Sequence, residues 1–167
     1  MALSSTIKVN IAATQTNPLD LGTGSFPAAA SAALTLANGT GNGQADVLFS
    51  DQRTITASSN EDLDFAGVLV GAFGATATFA RLKVLYVKAA TANVNNVVIT
   101  RPAANGVPIF AAASDAISVR PGGVFLWACT DATGVVVTAA TADLINISNS
   151  GAGTSVVYDI VAIGASV

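Results

Sequence analysis

Apolar and polar side chains alternate with period two along much of the chain, and turn residues cut the alternation into short pieces, a pattern that predicts β-strands. From Thr6 to Ala13, Ile7, Val9 and Ile11 fall on one face and Lys8 and Asn10 on the other, which predicts a half-buried or docking strand. In Arg53–Ala57, Ile55 turns inward between Thr54 and Thr56; further on, Leu63, Phe65 and Gly67 alternate with Asp62, Asp64 and Ala66. The strongest alternation spans Thr76–Lys88. Ala80, Leu82, Val84 and Tyr86 make one apolar face, and Phe79, Arg81, Lys83, Leu85 and Val87 an opposite face that is polar only in its middle. Such a strand is expected to be covered over part of its outer face. Val124–Cys129 is apolar on both faces, as a central or interface strand would be. Further strands are expected at Ala45–Ser50, Asn95–Thr100, Ile117–Arg120, Val135–Ala139, Leu144–Ser148 and Ser155–Ile163. Turns are expected at Ser58–Asn60, around Phe73, at Pro121-Gly122-Gly123 and at Asp131–Gly134.

These elements, roughly eight to ten strands, predict an all-β, two-sheet antiparallel sandwich. The apolar faces predict a core of Leu82, Val84, Tyr86, Ile117, Val119, Leu126, Ile145, Ile147, Tyr158 and Ile160. The sandwich is expected over residues 44–167. Residues 1–43 are expected to form an N-terminal strand followed by a Gly/Ala-rich arm, because Leu21–Ala45 carries no charge and holds Gly22, Gly24, Gly39, Gly41 and Gly43. Within that arm, Pro27–Leu36 (PAAASAALTL) admits a short helix or an extended conformation, and its surroundings of Thr and Gly favour the extended one. No internal repeat is present.

Composition narrows the functions. Only 10% of the 167 residues are charged while 51% are apolar, and the chain has one Cys and no His. A soluble monomer ordinarily covers itself with about 25–35% charged residues. This chain is expected to hide much of its surface against other copies or other proteins. Without His, no Ser-His-Asp or Cys-His triad and no His-based zinc site can form within the chain, and one Cys allows no internal disulfide. The net charge of −3 with no basic run argues against nucleic acid. No stretch is apolar and uninterrupted enough to span a membrane, and MALSSTIKVN does not read as a signal peptide. No cofactor is expected.

Few residues carry candidate chemistry. Gly39–Gly43 (GTGNG) lacks the Lys-Ser/Thr ending of a phosphate loop and reads as flexible. Asp131-Ala132-Thr133-Gly134 resembles one half of an aspartic-protease dyad, but the chemistry needs two such loops sharing a proton. Cys129 lacks a basic neighbour and reads as inert; Trp127 reads as core or subunit contact. The densest acids are Glu61, Asp62 and Asp64. They can serve as a solvated turn, a partner contact or a calcium site, though EF-hand spacing is absent. With Arg81 and Lys83, they are the candidate partner contacts.

The runs LTLANGTGNGQADVLFSDQRTI, EDLDFAG, FARLKVLYVKAA, VRPGGVFLWACTDATG and YDIVAIGAS make residues 34–167 resemble small head-associated virion proteins of tailed bacteriophages, the capsid decoration or cement proteins. The resemblance implies a jelly-roll-like fold, no enzymatic activity, and many copies bound through the major capsid protein and one another to the outside of an icosahedral shell. It implies a virion location after synthesis in the host cytoplasm, and a dimer or trimer. It transfers no functional residue. Two alternatives are another virion part (tail, vertex or fibre attachment) and a carbohydrate- or ligand-binding sandwich module.

Overall fold

The computed structural model describes residues 2–167, which are all-β with no helix. In chain order the strands are β1 (Ser5–Leu19), β2 (Gly22–Asn38), β3 (Gln44–Ala45), β4 (Val47–Ile55), β5 (Asn60–Asp64), β6 (Arg81–Ala89), β7 (Val97–Thr100), β8 (Ala116–Val119), β9 (Val124–Ala128), β10 (Val135–Val136), β11 (Leu144–Asn149) and β12 (Val156–Ala165). Two antiparallel sheets form the body. The larger has the order β10-β6-β12-β4, with β9 beside β10 on the same edge of β6; the smaller has the order β5-β11-β7-β8. The chain crosses between them at β4–β5, β5–β6, β6–β7, β8–β9, β10–β11 and β11–β12. Their facing sides bury Phe49, Leu85, Val87, Tyr158 and Ile160 from one sheet against Leu63, Ile99, Ile145 and Ile147 from the other. Phe65 and Phe79 close one end edge to face, with ring centroids 5.4 Å apart.

The expected turns form where their residues allow. Ser58 takes φ 55°, Gly122 φ 74° and Gly134 φ 56°, and the Gly74 N–H donates to the Gly71 carbonyl at 2.9 Å. Within the expected core, Leu82, Val119, Ile145, Ile147, Tyr158 and Ile160 are buried between the sheets. The remaining four are not. Ile117 lies on the inner face, in line with Ile99, but at the outer edge of the small sheet, where it is 40% exposed. Val84, Tyr86 and Leu126 lie on the opposite face of the large sheet.

A β-bulge explains the displacement. Ile163 of β12 pairs with Val84, but the next residue, Gly164, pairs with Leu82, leaving Lys83 without a partner on β12. An extra residue in one strand inverts the inside–outside alternation beyond it. Leu82 and Leu85 therefore both face the main core, and Val84 and Tyr86 turn outward. Gly164 permits this close approach, since a Cβ there would overlap the Arg81 carbonyl.

Residues 5–38 are neither a helix nor an unpaired arm. β1 and β2 pair in unbroken antiparallel register from Ser5↔Leu36 to Leu19↔Gly22. At about 3.4 Å per residue this ribbon is roughly 50 Å long. Pro18 and Pro27 fit in it because both strands of a two-stranded ribbon are edges, where a missing N–H can face water.

Candidate functional site

The ribbon has two chemically different faces. The cross-strand register puts Ile7 with Leu34, Val9 with Ala32, Ile11 with Ala30, Ala13 with Ala28, Gln15 with Phe26 and Leu19 with Gly22. Directly opposed residues share a face, so this side is apolar from Ile7 to Ala28 and mixed towards the tip, where Gln15 and Asn17 (opposite Gly24) stand among Phe26 and Leu19. The other side carries Thr6 with Thr35, Lys8 with Ala33, Asn10 with Ser31, Thr14 with Pro27 and Thr16 with Ser25. From Lys8 to Ala33 every residue except Gly24 is exposed, including Ile11 (61%), Leu19 (60%) and Phe26 (68%).

The root of the apolar face is covered by the chain itself. Leu36 and Ala45 are buried with Val84 and Ile163 on the outer face of the large sheet, and Leu3, Ile7, Leu126, Ala128 and Val161 pack around them. Beside this root a recess of about 320 Å³ opens among Ile7, Tyr86, Leu126 and Val161. The sheet's outer face therefore continues half-exposed past the part that the ribbon covers. A second recess, about 360 Å³, lies between Val47–Leu48 and the Gly71–Thr78 segment. Phe73 stands 82% exposed in that segment, near Val68 and Val70, also exposed.

Lys83 locks the root. Its residue is fully buried, and its Nζ donates to the carbonyls of Gly41 at 2.6 Å and Gln44 at 2.8 Å. Loss of hydration holds this ammonium below the ordinary lysine range. The Gly39–Gly43 segment is accordingly not a free loop. Gln44 Oε1 accepts from the Gly41 N–H at 2.9 Å, and the Gly43 N–H donates to the Thr130 carbonyl at 2.7 Å. Gly43 has φ 66°, in the left-handed region that favours glycine.

The other candidate contacts are dispersed. Glu61 turns inward and joins the two sheets: its Oε2 accepts from Arg53 Nε at 2.7 Å and lies 2.6 Å from Nη2, while Tyr158 Oη donates to its Oε1 at 2.9 Å. The hydrogen bond and charge of Glu61 hold the Arg53 guanidinium more firmly protonated than usual; burial, with the Glu61 carboxylate adjacent, raises the Tyr158 phenol. Asp62 and Asp64 point to the opposite face of the small sheet. Asp62 Oδ1 accepts from Asn146 Nδ2 at 2.7 Å and Asp64 Oδ1 from the Ala66 N–H at 2.9 Å. Arg81, on the large sheet, donates to the Ala132 carbonyl at 3.2 Å. The structure brings none of the three acids together with Arg81 or Lys83.

Cys129 is half-buried. Desolvation, reinforced by a hydrogen bond to Asp131, pushes its thiol up to about 11, which disfavours the nucleophilic thiolate. Asp131 Oδ1 accepts from the Thr133 and Gly134 N–H groups at 2.9 and 2.8 Å, and these bonds hold its carboxyl below the usual range. Among the described residues no group of three or more Cys, Asp or Glu side chains gathers in a metal-binding arrangement.

Sequence reading missed the apolar face of β2, above all the exposed Phe26 and the half-buried Leu34. Their period-two signal is present, but Ala at positions of both parities (Ala28, Ala29, Ala30, Ala32, Ala33) blurs it. Comparison with protein-family models, with curated proteins and with solved structures finds no match for this chain.

Proposed function

We propose that this protein is a non-enzymatic virion component, a decoration or cement protein that binds the outer surface of an icosahedral phage head and stabilises it. The observation that carries the reading is the β1–β2 ribbon: a long projection with an apolar face exposed from Val9 to the tip. A two-stranded ribbon is marginally stable alone in water, and one with an exposed apolar face gains from lying against a neighbour. In a lattice weak individual contacts suffice, because many copies act together through effective concentration. The charge-poor composition and the lack of His support a packing role over catalysis. Within this reading the six crossings between the sheets are jelly-roll-like wiring, and the partners are the major capsid protein and other copies of the chain.

Co-sedimentation tests the proposal. Purified protein added to phage particles that lack it is expected to bind in hundreds of copies and to raise the temperature at which they release DNA. Failure to associate with particles overturns it. Labelling on negatively stained particles separates a head from a tail or vertex location. A ligand-binding module is the second reading, favoured by the largely apolar recess beside Phe73, whose volume falls in the range of small-molecule sites; glycan-array binding with no particle binding would support it.

A further inference from the structure

We infer that the ribbon's apolar face is covered by a second copy of this chain, lying across the half-exposed outer face of that copy's large sheet in a reciprocal exchange. The inference deepens the lattice reading but makes its own demand, since self-association requires no particle.

Continuity is the first argument. Ile7 and Leu36, at the root of the apolar face, already pack on Val84 and Ile163 of their own sheet. The same face then runs on through Val9, Ile11, Phe26 and Leu19, where nothing in its own chain meets it. The surface suited to it is more of what covers its root. Each copy has that surface free: Tyr86, Leu126 and Val161 remain half-exposed around the recess beside the root, with Val124 beyond them 55% exposed. The ribbon's apolar face brings no charge: Lys8 lies on its other face, and Asp20 sits at its tip. On the acceptor, Lys8 borders the recess and Lys88 and Asp159 pair in the row beside Val124, so charge rims the apolar patch.

Area is the second argument. The free part of the ribbon runs from Val9↔Ala32 to Leu19↔Gly22, roughly 37 Å long and about 10 Å wide for two paired strands. One face covers about 370 Å² and buries a similar area opposite, for a total near 750 Å², the size of an incidental packing contact. Two identical copies that exchange ribbons make this contact twice. The sum, about 1,500 Å², falls within the 1,200–2,000 Å² of stable specific complexes. A foreign surface receiving one ribbon gains only half as much, which favours a sister copy as the occupant.

Sedimentation velocity on the full chain at about 10 μM tests the inference. The wild-type protein is expected to sediment as a dimer or larger closed oligomer. Ile11→Asp with Phe26→Asp should reduce it to monomer, with unchanged circular dichroism and melting temperature because both sites are exposed. Thr14→Asp with Ser31→Asp, on the polar face, should leave the oligomer intact. In a Cys129→Ala background, mixed chains carrying Ile11→Cys and Tyr86→Cys should cross-link to each other on oxidation. A monomeric wild type overturns the inference, as does an apolar-face variant of unchanged mass or cross-linking only between Ile11→Cys chains. If a monomeric protein still coats particles, with coating lost in the Ile11→Asp, Phe26→Asp variant, the occupant is the shell: the lattice reading stands and this one falls. An oligomer that binds no particles, with the cross-link formed, supports the exchange and overturns the lattice reading.

Discussion

Lys83 sits at the bulge in β6, and its ammonium satisfies two carbonyls of the segment that follows β2. Lys83→Met keeps the side chain's length and removes the donors, leaving the Gly41 and Gln44 carbonyls unpaired by it. A loss of about 1–3 kcal/mol is expected in urea denaturation, with faster amide exchange at the ribbon root. Gly164→Ala tests the same bulge from the other strand: the added methyl meets the Arg81 backbone, and a loss of about 1–3 kcal/mol is expected. Leu82→Ala, in the main core, should cost about 2–5 kcal/mol. Cys129 makes a prediction about pH. Its thiol titrates at 9.0 when unperturbed and at about 11 in the fold. Folding therefore favours the protonated thiol, and this contribution is complete below pH 9 and lost as pH rises to about 11. Cys129→Ala should flatten the fall in stability over that window; equal slopes in the two proteins would contradict the assignment.

At the level of elements, the ribbon divides into a root and a free end. The root, through Leu36 and Ile7, covers Val84 and Ile163, so removing residues 1–43 outright would uncover apolar surface and the Lys83 ammonium. The free end touches nothing else in its own chain. Replacing residues 10–31 by an Asn-Gly turn, which joins Val9 to Ala32 across an existing rung, suits a two-residue hairpin connection. The shortened protein is expected to melt within a few degrees of the wild type but to occupy fewer sites on particles. Full occupancy with wild-type affinity would show that the free end has no part in attachment.

As a whole molecule, the large sheet buries apolar residues on both sides. Its inner face meets the small sheet in the main core. Its outer face carries a second cluster that the ribbon covers only in part. A chain with 10% charged residues has few means of solvating such a surface, and assembly removes it from water at about 25 cal/mol per Å² before association costs. Particles stripped of the protein are therefore expected to lose DNA sooner on heating or chelation, and re-addition should restore the wild-type threshold, read by dye access to DNA.

The all-β class, most strand positions and the turns at Ser58, Gly74, Gly122 and Gly134 were legible in the chain because each rests on local physics: period-two side chains along a pleated backbone and residues that tolerate left-handed φ. The polar interruption at Arg81 and Lys83 read as a partly covered outer face, but Leu85 and Val87 on that side lie in the main core and Val84 and Tyr86 turn outward instead. Only tertiary structure places an unpaired residue at Lys83, because a bulge is defined by the strand opposite, and that strand, β12, lies more than seventy residues away. The same holds for β2. Ala packs on either side of a ribbon, so its repeats name no face until the pairing with β1 assigns one. The acids show the limit most directly. Alternation alone separates Glu61 from Asp62 and Asp64, but that Glu61 turns inward to Arg53 and Tyr158 follows from how two sheets stack, a relation between distant segments that no local pattern contains.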